Sequence, residues 1–117
     1  SLCDVAGAPH PDGLDGDSLL PLIRNTGKVK AFHRRKPMIW EFHGYRGQLA
    51  VMEGKWKAVR QKVRTKKPGP WELYDLDQDP AEATNLAQKH PAVLGRLENA
   101  CLADRTVSAR YPLKLSK

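Results

Sequence analysis

The clearest structural pattern in the chain lies at residues 71–86, Trp71-Glu-Leu-Tyr-Asp-Leu-Asp-Gln-Asp-Pro-Ala-Glu-Ala-Thr-Asn-Leu86. Its first six residues alternate as a β-strand requires, so that residues 71, 73 and 75 face one way and residues 72, 74 and 76 the other. Asp79-Pro-Ala-Glu82 follows and predicts a helix N-terminus, with Asp79 as the cap, Pro80 at the first helical position and Glu82 at the capping-box position. The block therefore predicts a strand followed by a capped helix.

Three more strands are predicted before this block, over residues 38–43, 48–53 and 55–61, because aromatic and aliphatic residues there are separated by glycine-containing turns. Four strands joined by short turns predict an antiparallel meander. After the block, Leu94, Leu97 and Cys101 recur at helical spacing between Pro91 and Asp104. The predicted fold class is therefore α+β, a four-stranded antiparallel sheet (meander) packed against a C-terminal α-helix and preceded by a loop-rich segment.

The N-terminal segment is expected to hold two short helices. Residues 2–6 have helical spacing with Gly7 as a C-cap, and we expect the beginning of this helix to lie before Ser1. Residues 18–23 predict a second short helix, capped by Asp17 or Ser18. Residues 24–37 are polar and basic, and they predict an exposed excursion.

Composition indicates a soluble globular domain, with 40% hydrophobic and 28% charged residues. No apolar run reaches the length of a membrane span, so no membrane association is expected. Cys3 and Cys101 lie near opposite ends, and the sequence leaves open whether they form a disulfide or are two small core residues. The cysteines and the four scattered histidines have no zinc-like spacing, so no metal site is expected.

The net charge of +7 is concentrated locally. Residues 55–67 contain seven Lys or Arg and no Asp or Glu, and residues 33–36 form a second cluster. One interpretation is a small basic binding module for polyanions, either nucleic acid or sulfated glycan. The more common explanation of such a run is a solvated hairpin and loop. No nucleic-acid motif is present, so binding of nucleic acid is not favoured.

Four segments together resemble the C-terminal region of the type I sulfatases, the arylsulfatase family of the alkaline-phosphatase-like superfamily. Residues 71–86 resemble the family's LYDL…DP.E..NL segment, residues 1–22 its TLLDLAG.P.P.GLDG.SLLPLL segment, residues 39–43 its LYWEF/YH strand, and residues 50–60 its AVR.GKWKLVR segment. The segments run in the family's order across most of residues 1–97. The excursion at 24–37 and the tail from Arg105 are not covered.

The resemblance implies a sulfuric ester hydrolase. In the family, a formylglycine made from a cysteine or serine attacks sulfur, and carboxylates hold calcium against the sulfate oxygens. Neither Cys3 nor Cys101 lies in the required Cys-x-Pro-x-Arg motif. The resemblance therefore places both cofactor sites upstream, assigns no catalytic residue to this chain, and implies that the chain alone is inactive.

The resemblance also implies a division of the chain and a partner. Residues 1–37 correspond to the end of a catalytic-domain helix, a loop and a short linking helix, and residues 38–117 to the C-terminal subdomain. The expected partner is the catalytic α/β domain of the same polypeptide. The expected substrate is a sulfated small molecule or glycan, and the implied location is periplasmic or secreted, which the residues themselves leave open.

Three residues near the first predicted turn are the candidates for substrate binding, namely His43, Tyr45 and Arg46. They lie in or beside the glycine-flanked turn Gly44-Tyr-Arg-Gly47, and Arg46 could hold a sulfate or carboxylate bidentately. The alternative is an ordinary turn with an exposed arginine. The basic loop at 62–67 is expected to contribute less.

Two other residue sets are expected to be structural. Trp40, Trp56 and Trp71 are predicted to fill the core instead of forming a sugar-stacking platform. Asp75, Asp77 and Asp79 are predicted to end a strand and cap a helix instead of forming a calcium loop, because the EF-hand spacing is absent.

Overall fold

The computed structural model describes residues 1–14, 16–24, 34–110 and 112–113. The chain forms two compact units, residues 1–35 and residues 36–117. Most of the excursion predicted at 24–37, including His33 of the second basic cluster, lies outside the described residues. The two units are considered one at a time below.

The first unit contains the two predicted short helices. Helix α1, Leu2–Ala6, ends at Gly7, whose φ of 64° is the left-handed conformation that glycine adopts without steric cost. Helix α2, Leu20–Ile23, begins two residues later than predicted, and the predicted cap at Asp17 or Ser18 is wrong, because Leu19 is the N-cap residue and no side chain caps the helix. The Ser18 hydroxyl accepts a hydrogen bond from the Leu20 N–H at 3.2 Å, so Ser18 supports the start of the helix. Asp17 instead accepts hydrogen bonds from Arg35.

The second unit is the predicted meander. Its strands are β1 (Met38–Phe42), β2 (Gln48–Glu53), β3 (Trp56–Gln61) and β4 (Trp71–Asp75). All neighbours pair antiparallel in the order β1-β2-β3-β4, as the short turns predicted. Helix α3, Pro91–Asp104, follows the sheet. The predicted α+β fold class is confirmed.

The core lies between the inner face of the sheet and α3. A row of paired residues crosses all four strands on this face, Ile39, Val51, Ala58 and Leu73. Helix α3 covers the row with Leu97 and Cys101, both completely buried. Full burial of one such side chain contributes about 1.5–3 kcal/mol. The helical stripe and the period-two pattern of β4 were therefore predicted correctly.

The helix predicted to begin at Asp79 does not form. Glu82 adopts a φ of 55°, which interrupts a right-handed helix after a single turn. The Asp79 carboxylate accepts a hydrogen bond from the Thr84 N–H at 2.7 Å, a local arrangement that competes with helical hydrogen bonds. Residues 76–90 instead form successive turns, and the next helix is α3. The aspartates remain structural, but they stabilise turns and not a helix start.

The tryptophans do not all fill the core as predicted. Trp56 and Trp71 pack against it, and the Trp71 Nε1–H donates a hydrogen bond to Glu98 at 3.0 Å. Trp40 is 48% exposed, because its position in β1 directs it to the face opposite α3. The physical reason is parity: Ile39 occupies the inner face, so the next residue must point outward.

Candidate functional site

The three predicted substrate-binding residues lie at the β1–β2 connection. The Gly47 N–H donates to the Gly44 carbonyl at 2.8 Å, which closes a four-residue turn. Tyr45 and Arg46 occupy its two central positions with φ of 46° and 69°. Positive φ is unfavourable for residues other than glycine and costs about 1 kcal/mol at each of these two positions. The backbone is therefore strained where the candidate side chains are presented.

The turn presents two of these side chains to solvent. Tyr45 is 83% exposed, and its ring centroid lies 6.2 Å from that of Phe42, which is also exposed. Arg46 is exposed, whereas His43 is half-buried at the end of β1. The structure thus brings the three candidates into one connection. Their contact with a substrate stays a prediction.

A contact that the sequence did not predict joins this turn to the basic loop at 62–67. The Arg64 N–H donates to the Arg46 carbonyl at 2.9 Å, and the Val63 N–H donates to the Gly47 carbonyl at 3.0 Å. A β-carbon added to Gly47 would lie 2.6 Å from Arg64 Cγ, so only glycine leaves room for the arginine side chain. Arg46 and Arg64 are therefore neighbours in the fold.

The first unit carries a polar cavity of about 280 Å³ next to Asp4 and His10. His10 Nε2 lies 2.5 Å from the Asp4 carboxylate. A hydrogen bond from the Ser18 hydroxyl, followed by that from His10, lowers the pKa of Asp4. The Ser18 hydroxyl therefore contacts the Asp4 carboxylate and not the histidine. A carboxylate whose pKa is lowered is a weak base, so the cluster lacks the serine–histidine contact of an activated nucleophile.

Neither cysteine has the environment of a nucleophile. Cys101 is fully buried in the core, where burial raises the pKa of its thiol to about 11. Cys3 is half-buried in α1, and both thiols are free. Among the described residues, no three His, Cys, Asp or Glu side chains are grouped so that they could hold a metal ion.

No helix among the described residues is long and apolar enough to cross a membrane.

Comparison with known proteins gives a consistent result. The family described as N-sulphoglucosamine sulphohydrolase, C-terminal, matches residues 1–102. Arylsulfatase K of Rattus norvegicus is 35% identical over 104 residues, which are 84% of this chain and 18% of that protein. Choline-sulfatase of Rhizobium meliloti is 33% identical over 94 residues, 75% of this chain and 16% of that protein.

A solved structure shares the fold. The protein solved in complex with its substrate D-glucosamine-2-N,6-O-disulfate superposes with a TM-score of 0.60 at 23% identity, over 86% of this chain and 21% of that protein. The chain thus spans about a fifth of the length of the proteins that it matches.

Proposed function

The chain belongs to the sulfatase family, as a domain of the N-sulphoglucosamine sulphohydrolase C-terminal type, and from this premise we propose that it completes a sulfuric ester hydrolase without supplying the nucleophile. The observation that carries the proposal is the family match over residues 1–102, a region whose described residues include no activated nucleophile and no metal-binding group. The relatives are sulfatases several times longer than this chain. The chemistry is therefore assigned to the remainder of a longer polypeptide.

The proposed partner is a catalytic α/β domain of the same polypeptide, docked on the outer face of the sheet. Trp40 and Phe42 project from β1 on this face with 48% and 54% of their surface exposed. The half-buried Met52 and Val59 continue the face on β2 and β3. A contiguous apolar surface of this kind is typical of an interface between domains. This surface also argues against a free-standing structural domain.

The proposed substrate contacts are His43, Tyr45 and Arg46. Tyr45 and Arg46 are exposed beside the apolar face, at the position that would border a cleft between the two domains. An arginine guanidinium can donate two parallel hydrogen bonds to a sulfate or carboxylate group, and an exposed tyrosine ring can lie against a sugar or an aryl group. A sulfated small molecule or sulfated sugar suits both side chains.

Formylglycine and calcium belong to the catalytic domain in this proposal. The transfer of a charged sulfuryl group requires a nucleophile and a cation, and the family resemblance supports placing both in the catalytic domain. The resemblance to exported sulfatases supports a periplasmic or secreted location.

The proposal is tested on the longer polypeptide that contains this region. We expect its coding sequence to contain a Cys-x-Pro-x-Arg or Ser-x-Pro-x-Arg motif upstream of Ser1. The purified polypeptide should hydrolyse 4-nitrophenyl sulfate, and replacement of the Cys or Ser of that motif by alanine should abolish turnover. A polypeptide with neither the motif nor turnover would refute the proposed function.

The substrate contacts are tested separately with a sulfated disaccharide prepared from heparin. Arg46→Asn should raise KM by about tenfold, the loss expected for one charge-assisted bidentate contact. Asparagine is chosen because it tolerates the positive φ of this position. Arg96→Gln removes an equal charge from α3 and should leave KM unchanged.

A further inference from the structure

Two groups of cationic side chains in the second unit differ in whether they pair with carboxylates. Four basic residues that contact β-strands or α3 are paired with carboxylates, Lys55 with Asp75, Lys57 with Glu82, Arg96 with Glu53 and Arg105 with Glu41. The second group comprises Arg46, Lys62, Arg64, Lys66 and Lys67, all exposed. None of these five forms an ion pair with a carboxylate in the part of the chain that the structure describes. We call these five residues the cationic end.

The topology of the meander collects the cationic end in one place. In an up-and-down sheet the β1–β2 and β3–β4 connections emerge at the same end, and the β2–β3 turn emerges at the other. The hydrogen bonds from Val63 and Arg64 to the 44–47 turn join the β1–β2 connection directly to the β3–β4 connection. Two separate basic segments of the sequence thereby become one surface.

The loop that carries four of these cations has a defined conformation. Val63 is 3% exposed and lies in the core cluster, so it anchors the loop between Lys62 and Arg64. The Thr65 hydroxyl is 2.8 Å from the carbonyl oxygens of both Lys62 and Lys67. The Gly69 N–H closes the loop on the Gln61 carbonyl at 2.9 Å. A surface held in this way loses less conformational entropy on binding than a flexible tail would.

We propose that the cationic end is a binding surface for a sulfated glycan chain, and that it holds anionic groups beyond the ester that is cleaved. This inference rests on the proposed function for the choice of glycan. Five cations on one surface, none of them paired with a carboxylate of the described residues, match a linear polymer with repeated sulfate or carboxylate groups better than a compact monoanion. The exposed Tyr45 ring lies in the same turn as Arg46 and supplies a flat surface for a sugar.

The test measures binding by the 117-residue chain, so that it does not depend on turnover. Fluorescently labelled heparin is titrated by anisotropy at several NaCl concentrations, beside a DNA duplex of similar length. Arg64→Gln and Lys66→Gln should each weaken heparin binding by about threefold to tenfold and reduce the slope of log Kd against log[NaCl] by about one, because each removes one counterion-releasing contact. Arg96→Gln carries the same charge change on α3 and should alter neither quantity.

The outcomes separate this inference from the proposed function. Heparin binding lost selectively in the cationic-end variants supports the surface. Equal losses in Arg96→Gln would mean that net charge alone is responsible, and tighter binding of the duplex than of heparin would assign the surface to nucleic acid; either result overturns the inference. Such a failure together with hydrolysis of 4-nitrophenyl sulfate by the longer polypeptide would leave the proposed function intact. Far-ultraviolet circular dichroism of each variant establishes that it is folded.

Discussion

At the scale of single residues, Asn85 shows how the end of the 71–86 block stabilises the sheet although no helix begins there. Its side-chain oxygen accepts hydrogen bonds from the Leu73 N–H at 3.1 Å and from the Ala87 N–H at 2.9 Å. The Leu86 N–H donates to the Leu73 carbonyl at 2.7 Å. Both backbone groups of Leu73 on the open edge of β4 are thus satisfied by a following turn, which also prevents that edge from pairing with another chain.

Replacing Asn85 should therefore destabilise the sheet. In Asn85→Ala the Leu73 N–H loses its acceptor, and the free energy of unfolding should fall by about 1–3 kcal/mol. Asn85→Asp keeps an oxygen in the same position and should lose much less at neutral pH. Urea denaturation followed by tryptophan fluorescence measures both values. Equal stability of the alanine variant and the wild type would contradict this role.

Asp75 gives the fold a predictable sensitivity to acid. It is buried at the end of β4, and its carboxylate lies 2.6 Å from Lys55 Nζ, which lowers its pKa below the usual 3.8. A lowered pKa in the folded state stabilises the fold fully above the pKa of the unfolded chain. That contribution is lost as pH falls through the folded-state value.

We accordingly expect stability to decline on acidification below about pH 4. Asp75→Asn should be less stable than the wild type at neutral pH, and the difference should narrow as the solution is acidified. Urea midpoints measured from about pH 6 down to about pH 2.5 test this expectation. A difference that does not change over this range would show that Asp75 is not the responsible group.

At the scale of elements, a buried ion pair attaches the segment after α3 to the edge strand β1. Arg105 is 8% exposed and Glu41 14% exposed, and Arg105 Nε lies 2.6 Å from the Glu41 carboxylate. Arg105 also donates to the Leu113 carbonyl at 3.3 Å, and Leu113 is buried in the core cluster. The tail from Arg105, for which the sequence predicted no pattern, thus contributes to the core.

Breaking this pair from one side should be costly. Glu41→Leu leaves the Arg105 guanidinium buried without its carboxylate, and we expect a loss of about 3–5 kcal/mol in the free energy of unfolding. The double variant Glu41→Leu, Arg105→Leu should recover much of the loss because no charge remains buried. Arg96→Gln breaks an exposed pair and should cost at most about 1 kcal/mol. An equally small effect of Glu41→Leu would mean that water reaches Arg105.

The secondary-structure elements were predicted better from the sequence than the long-range contacts between them. Strand bounds, the meander and the stripe of α3 follow from local periodicity, which depends only on near neighbours along the chain. The helix expected at Asp79 was wrong because the same aspartate and proline that begin a helix also suit a turn, and hydrogen bonds to Leu73 favour the turn. Such long-range contacts leave no periodic signal.

The candidate site was predicted only in part, for a similar reason. His43, Tyr45 and Arg46 follow from the glycine-flanked turn, but the adjacency of Arg64 depends on hydrogen bonds between two connections. The sequence did contain a signal for this adjacency. The β1–β2 and β3–β4 connections of a meander lie at the same end of the sheet, so Arg46 and Arg64 could have been placed there together. The exposure of Trp40 was likewise predictable from the parity of β1.

At the scale of the whole molecule, the sheet of the second unit has a covered inner face and an outer face that is exposed at β1, whereas Tyr74 is buried on the outer face at β4. Helix α3 covers the inner face, whereas Trp40 and Phe42 are about half exposed on the outer face. In the longer polypeptide we expect the catalytic domain to bury this outer face.

Substitutions on the exposed outer face should affect the stability of the 117-residue chain and of the longer polypeptide differently. In the 117-residue chain, Trp40→Ser with Phe42→Ser should leave stability within about 1 kcal/mol of the wild type and reduce self-association, because these side chains are already exposed. In the longer polypeptide the same change should lower the melting temperature, since buried aromatic surface would be lost. Calorimetry and analytical ultracentrifugation measure the two effects. Unchanged melting of the longer polypeptide would exclude this face as the interface.

The central claim is that this chain is the non-catalytic C-terminal domain of a sulfatase, and turnover of 4-nitrophenyl sulfate tests it most directly. The assay compares equal molar amounts of the 117-residue chain and of the longer polypeptide that contains it. We expect hydrolysis by the longer polypeptide and none above background by the 117-residue chain. Turnover by the purified 117-residue chain itself would refute its assignment as a non-catalytic domain.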